Sequence, residues 1–434
     1  MLLNAADKAL WRLALPMIFS NITVPLLGLV DTAVIGHLDS PVYLGGVAVG
    51  ATATSFLFML LLFLRMSTTG LTAQAWGAKD PQRLARALVQ PLALALGAGV
   101  LIILLRLPLI DLALHIVGGS EAVLEQARRF LEIRWLSAPA SLANLVLLGV
   151  QYARAPVILL VVGNLLNIVL DLWLVMGLRM NVQGAALATV TAEYATLIIG
   201  LLMAKRVLTL RGVSLAMLKN AWRGDLRRLL ALNRDIMLRS LLLQLCFGAL
   251  TVFGARLGSD IVAVNAVLMT MLTFTAYALD GFAYAVEAHS GQAYGARDGS
   301  QLLEVWRAAC RQSGMVALAF ALIYSLAGQY IIALLTSLPS LQQLADRYLI
   351  WQTILPVVGV WCYLLDGMFI GATRGAEMRN SMAVAAAGFA VTLLTLPVLG
   401  NHGLWLALAV FLALRGLSLA LIWRRHWRRG TWFS

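Results

Sequence analysis

Gln74-Ala75-Trp76-Gly77-Ala78-Lys79-Asp80 returns 218 positions later as Gln292-Ala293-Tyr294-Gly295-Ala296-Arg297-Asp298, with aromatic for aromatic and base for base. The same offset pairs Gly36 with Gly254, Ala48 with Ala266, and Leu148-Gly149 with Asp366-Gly367, so one register holds across most of each half without large insertions. Working outward from the two copies, apolar stretches follow one another to both ends of the chain. Each is close to the roughly 20 residues that cross a bilayer core at about 1.5 Å per residue. They fall near 13–36, 44–73, 87–107, 129–151, 156–177 and 184–204, then 236–257, 261–288, 306–335, 348–371, 380–399 and 403–423. The quoted motif closes the second stretch of each half.

Of the 434 residues, 61% are hydrophobic and 12% charged, and the mean hydropathy is +0.85. A water-soluble domain carries about 25% charged residues and has no core able to hide this much apolar surface. The first stretch is too long for the apolar part of a signal peptide and contains Asp31, which marks it as a retained helix. The expected fold is therefore all-α and integral to the membrane, with twelve transmembrane helices. Six spans per half is an even number, so both halves enter the membrane in one orientation, related by an axis along its normal. Residues 1–204 would form one six-helix bundle, 205–235 a basic cytoplasmic linker, and 236–434 a second, pseudo-symmetric bundle with a basic tail.

The net charge of +13 does not point to nucleic acid, because the basic residues are neither clustered on a soluble domain nor interleaved with stacking aromatics. Most of the 33 Lys and Arg lie in alternate connections: the N-terminus, the loops at Lys79, Arg154, Arg297 and Arg374, the linker, and the tail. The positive-inside rule then expects both termini in the cytoplasm, with anionic lipid facing these charges. Cys246, Cys310 and Cys362 show no paired spacing, and no HExxH, GxSxG or phosphate-binding loop occurs. An enzyme or an ATP-driven pump has no visible chemistry here.

Acids inside spans are the informative residues, because a charge in hydrocarbon needs a partner, a proton or a water-filled cavity. Depth counting puts Asp31, in span one, and Asp171, in span five, at a similar level, roughly 8 Å from the outer boundary. Asn167 is one helical turn before Asp171, and Thr189 of span six reaches the same level. Two carboxylates sharing a dry pocket repel each other, which favours loading a proton, and the same oxygens suit a hard cation such as sodium. The plainer alternative is a set of polar groups that only hold helices together, with Gly184, Ala185, Ala186 and Ala188 suiting close packing. The offset pairs Asp31 with Ala249 and the Asp171 region with the apolar run near Leu393, so the pocket is not duplicated. Asp280, Glu287 and Asp366 are expected instead to pair with Arg65, Arg297 and Arg374 at the cytoplasmic end. Pro16 and Pro25 predict a bend in span one near Asp31.

These residues carry a resemblance to the multidrug and toxic compound extrusion (MATE) family, most closely its DNA-damage-inducible protein F (DinF) branch. It rests on Val30-Asp31-Thr32-Ala33, Thr69-Gly70 leading into Gln74, Gly163-Asn164 through Asp171, and Gly184 to Thr189. In the second half it rests on Leu279-Asp280-Gly281-Phe282-Ala283 through Glu287, and on Leu365-Asp366-Gly367 with Ile370-Gly371-Ala372. The resemblance implies a monomeric secondary antiporter of the bacterial inner membrane. It would expel lipophilic, often cationic organic compounds in exchange for protons or sodium by alternating access, with no cofactor beyond that coupling ion. The family's cation site would fall on Asp31, Asn167, Asp171, Thr189 and the carbonyl of Ala185, with Asn144 and Asp31 lining the substrate cavity. Other branches carry a glutamate in span seven, where this chain offers only Gln244. The rival is a lipid-linked oligosaccharide flippase of the same wider superfamily. Such a protein would line its cavity with arginines, whereas here Arg65, Arg239 and Arg415 are the candidates.

Overall fold

The computed structural model describes residues 7–19, 41–117, 120–149, 155–221, 226–336 and 338–433, and is helical almost throughout. Helix α1 covers residues 7–19. It is followed by α2 (Pro41–Leu60), α3 (Phe63–Gly77), α4 (Pro81–Leu104), α5 (Arg106–Val117), α6 (Glu121–Arg134), α7 (Ala138–Gly149), α8 (Ala155–Asp171), α9 (Asn181–Leu210) and the short α10 (Leu215–Asn220). The second half supplies α11 (Leu226–Leu257), α12 (Ser259–Ala296), α13 (Gly299–Leu335), α14 (Pro339–Gly371), α15 (Gly375–Thr392), α16 (Leu396–Leu399) and α17 (Asn401–Arg429). Ten helical segments among the described residues are long and apolar enough to cross a membrane, and the protein is an integral membrane protein. Two expected spans are not among the ten. Asp31, Pro25 and most of span one lie outside the described residues. Span four is broken: α6 ends at Arg134, a 3-10 turn takes Trp135–Ser137, and α7 resumes at Ala138. Pro139 accounts for the break, since it has no N–H for the ladder and its ring crowds the preceding turn, which tightens.

The chain divides into two compact units, residues 22–230 and residues 1–21 with 231–434. This corrects the expected 1–204 lobe at its start, because α1 packs within the unit built by the second half. Asp7, buried at the head of α1, takes Arg311 Nη2 at 3.0 Å and Gln312 Nε2 at 3.1 Å. The Trp11 ring meets Phe282 edge-on at 5.2 Å, and Ile18 fills the space that a Cβ on Gly281 would need. Charge pairing and a close glycine contact decide where this helix docks. The expected linker is largely helical as well: α9 runs to Leu210 and α11 begins at Leu226.

The quoted motif has one local geometry at both of its occurrences. Lys79 and Arg297 both adopt the left-handed conformation, at φ 54° and 53°. The next residues cap the following helices: Asp80 accepts from the backbone N–H groups of Gln82 and Arg83 at 3.1 and 3.3 Å, and Asp298 from that of Gln301 at 3.1 Å. The 218 spacing returns in packing too. A Cβ on Gly149 would sit 2.7 Å from the carbonyl oxygen of Arg65, and one on Gly367 would sit 2.6 Å from that of Ala283. On α14 a Cβ on Gly371, one turn further, would sit 2.9 Å from the carbonyl oxygen of Glu287, so a small-xxx-small stripe seats α14 on α12. Outward faces are apolar. On α13 Leu318, Leu322, Leu326, Tyr330 and Leu334 recur every fourth residue and are exposed, Leu334 by 87%, as a lipid-facing stripe requires.

Polar groups inside the spans are tied locally. Thr68 and Thr69 of α3 donate to the carbonyls of Leu64 and Arg65 one turn back, at 2.7 and 2.9 Å. In the second half Arg239 of α11 and Arg415 of α17 both converge on Oδ2 of Asp366 of α14, Arg239 at 2.6 Å, all three buried. The expected partner Arg374 instead pairs with Glu377 at 3.1 Å and donates to the carbonyls of Thr431 and Trp432. Helix facing, rather than depth along the span, selected the partners of Asp366. Arg297 serves as the left-handed cap of α12. Asp280 is exposed and Glu287 is buried, and both have interactions of their own.

Candidate functional site

The first-half unit holds the polar cluster that the sequence points to. On α8, Asn167 and Asp171 are one turn apart and both buried, Asp171 to 1% exposure. On α9, Ala185 and Thr189 are likewise one turn apart. The two helices are held close by glycine: a Cβ on Gly163 would meet the Thr196 hydroxyl at 2.8 Å, and one on Gly184 would meet the backbone of Leu174 at 3.1 Å. The polar pairs therefore face one another. Asn167 Nδ2 donates to the Thr189 hydroxyl at 3.3 Å, which donates in turn to the carbonyl of Ala185 at 3.2 Å. The Asn167 amide oxygen is enclosed and, among the described residues, accepts no hydrogen bond.

Directly after Asp171 the helix winds wider, as a π-turn over Leu172–Gly177 that the sequence reading missed. The Leu178 N–H reaches back five residues to the Trp173 carbonyl at 2.9 Å. Such widened turns recur at functional sites because they re-aim side chains without ending a helix. Beyond the turn, Arg179 and Asn181 adopt the left-handed conformation, at φ 54° and 56°.

Asn144 is placed differently. Its amide N–H donates to the backbone carbonyl of Glu193 on α9 at 3.2 Å, one turn beyond Thr189. Glu193 was also missed: its carboxylate takes Arg134 Nη2 at 3.0 Å and the hydroxyl of Ser141. The signal was present as an acid inside the sixth apolar stretch, four residues after Thr189. Asp31 lies outside the described residues. Of the expected set, Asn167, Thr189 and Ala185 are joined by hydrogen bonds, Asp171 is buried one turn from Asn167, and Asn144 belongs to the neighbouring Glu193 cluster. Elsewhere in the unit Met66 is buried, Met59 is exposed, and Phe58 lies under the Arg134 guanidinium at 5.4 Å.

An enclosed carboxylate one helical turn from an amide that bonds a hydroxyl, itself bonded to a backbone carbonyl, supplies hard oxygen donors, suited to a proton or a small cation. It offers no nucleophile paired with a base. Comparison with known proteins gives the family. The MatE family profile matches residues 16–173 and 236–399, one stretch in each half. The chain is 86% identical to DNA damage-inducible protein F of Escherichia coli strain K12 over all of this chain and 95% of that protein. It is 23% identical to a probable multidrug resistance protein NorM of Acinetobacter baylyi, over 96% of this chain and 94% of the other. Among solved structures it shares the fold of a MATE protein in the bent conformation, with a TM-score of 0.84 at 23% identity, covering 98% of this chain and 96% of that one. An outward-facing multidrug resistance MATE transporter aligns over the same shares at a TM-score of 0.82. The chain belongs to the MatE family of membrane transporters, in the branch of DNA damage-inducible protein F, and is a transporter rather than an enzyme.

Proposed function

We propose that this chain is a secondary antiporter of the bacterial cytoplasmic membrane that expels lipophilic, often cationic organic compounds in exchange for protons or sodium. The observation that carries the reading is the buried carboxylate of Asp171, one turn from the Asn167–Thr189–Ala185 hydrogen-bonded oxygens. An ion entering there neutralises charge that the membrane interior penalises, and its gain or loss favours one conformation of the lobe over another. Asp31, an acid inside the first apolar stretch, is the second carboxylate that the sequence offers for this role. The names of more distant relatives, multidrug resistance protein NorM and multidrug export protein MepA of Staphylococcus aureus, support an organic cargo. Both termini face the cytoplasm by the distribution of Lys and Arg, and the unit of transport is the monomer.

A flippase handling pyrophosphate-linked sugars needs free arginines facing its cavity. Of the candidates, Arg239 and Arg415 are engaged by Asp366 and Arg65 has an interaction of its own, which favours the antiporter. The test loads inverted membrane vesicles with a fluorescent organic cation and imposes a proton or a sodium gradient. The native chain should exchange cation against one of the two ions, and Asp31→Asn or Asp171→Asn should abolish the gradient-driven component. Equal coupled exchange by all three proteins would refute the reading.

A further inference from the structure

Ala185, Thr189 and Glu193 recur every fourth residue on α9 and so share one face, each about 6 Å along the axis from the last. Thr189 is bridged to α8 by Asn167, and Glu193 to α6 and α7 by Arg134, Ser141 and Asn144. The polar cluster thus continues as a column with a second carboxylate one turn away from the first group.

Glu193 differs from a plain structural ion pair in three respects. Its side chain keeps 24% of its exposure while that of Arg134 keeps 11%, so the carboxylate is the accessible member. Asn144, anchored on the Glu193 backbone, leaves its amide oxygen enclosed and, among the described residues, without a donor, an acceptor that a cation or a proton donor would satisfy. Arg134 also has other partners: it donates to the Ser137 hydroxyl and lies over the Phe58 ring, so its charge stays accommodated when the carboxylate is taken.

We propose that Glu193 is a second station for the coupling cation, a proton or sodium, with Arg134 as a tethered cation that occupies it until the mobile ion displaces the guanidinium, and with Asn144 Oδ1 completing the oxygen set. The proposal rests on the antiporter reading. The surroundings of Glu193 are simple. Helix α7, the 3-10 turn and the π-turn carry no titratable side chain, α8 offers Asp171, and α2 offers Tyr43. On α6, Glu132 lies two residues before Arg134 and on another face; on α9, the hydroxyl of Tyr194 donates to the Leu136 carbonyl at 2.8 Å.

The test measures exchange of a fluorescent organic cation by the full chain in proteoliposomes, against pH at fixed sodium and against sodium at fixed pH, which separates the two ions. Removing the tethered competitor in Arg134→Gln should move the half-maximal ion concentration down, on the order of threefold or more. Glu193→Gln should move it up or flatten the dependence. The double variant should behave as Glu193→Gln, because no carboxylate is left to contend for. Should either single variant aggregate, the charge-neutral double variant is read in its place. Native ion dependence in these variants, with coupled exchange lost in Asp171→Asn, would overturn the second station and leave the first standing. Native coupling in Asp171→Asn would instead remove the antiporter reading on which the proposal depends.

Discussion

Asp366 shows how much one atom can hold in a membrane protein. Two guanidiniums share its Oδ2, and the Nε atoms of both arginines are enclosed and, among the described residues, unpartnered, so the carboxylate is what makes their burial tolerable. Asp366→Ala should cost about 3–5 kcal/mol, read as a fall in the thermal unfolding midpoint in detergent; an unchanged midpoint would mean the arginines repair themselves. At Thr189 the hydroxyl both accepts and donates, so Thr189→Val should weaken the apparent affinity for the coupling ion by about tenfold in vesicle exchange, with little change in folding. Asn167, Asp171 and Thr189 were legible because polar residues in apolar stretches stand out and helical spacing gives their phase. The partners of Asp366 were not, since depth places a residue along a helix axis but says nothing of which neighbour it faces. Glu193 stood in plain view, and what hid it was the lack of any one-dimensional hint that Arg134, 59 residues earlier, reaches it.

Helices here are seated by glycines against carbonyl oxygens. Gly367→Ala would force its Cβ against the Ala283 carbonyl, backbone that cannot swing aside, and should cost about 1–3 kcal/mol, with the equivalent Gly149→Ala doing the same in the other half. Both losses are measurable as thermal unfolding shifts, and a neutral result at either would show that α12 or α3 slides. The capping aspartates make a milder test. Asp298→Ala should lose about 1 kcal/mol, and Asp80→Ala a similar amount. The existence of these helices was legible from apolar length, and the repeated motif marked where the second stretch of each half ends. The break at Trp135–Ser137 and the π-turn after Asp171 were not, because Pro139 and Gly177 permit several geometries and packing chooses among them.

For the whole molecule, two units were foreseeable from a register that repeats through the chain, but α1 defies the obvious division. Asp7 finds Arg311 and Gln312 across 304 and 305 positions of sequence, an association that no local pattern can announce. The order of synthesis turns this into a constraint. When α1 leaves the ribosome its receptor does not exist, and at about 5–20 residues per second translation needs tens of seconds to supply it. A fragment comprising residues 1–230 should therefore expose residues 7–19 to limited proteolysis, and co-expression of residues 231–434 should protect them. Biogenesis cannot finish one half and then add the other; a segment made before the second half is secured only after it, and a quality-control protease has that whole interval in which to find it.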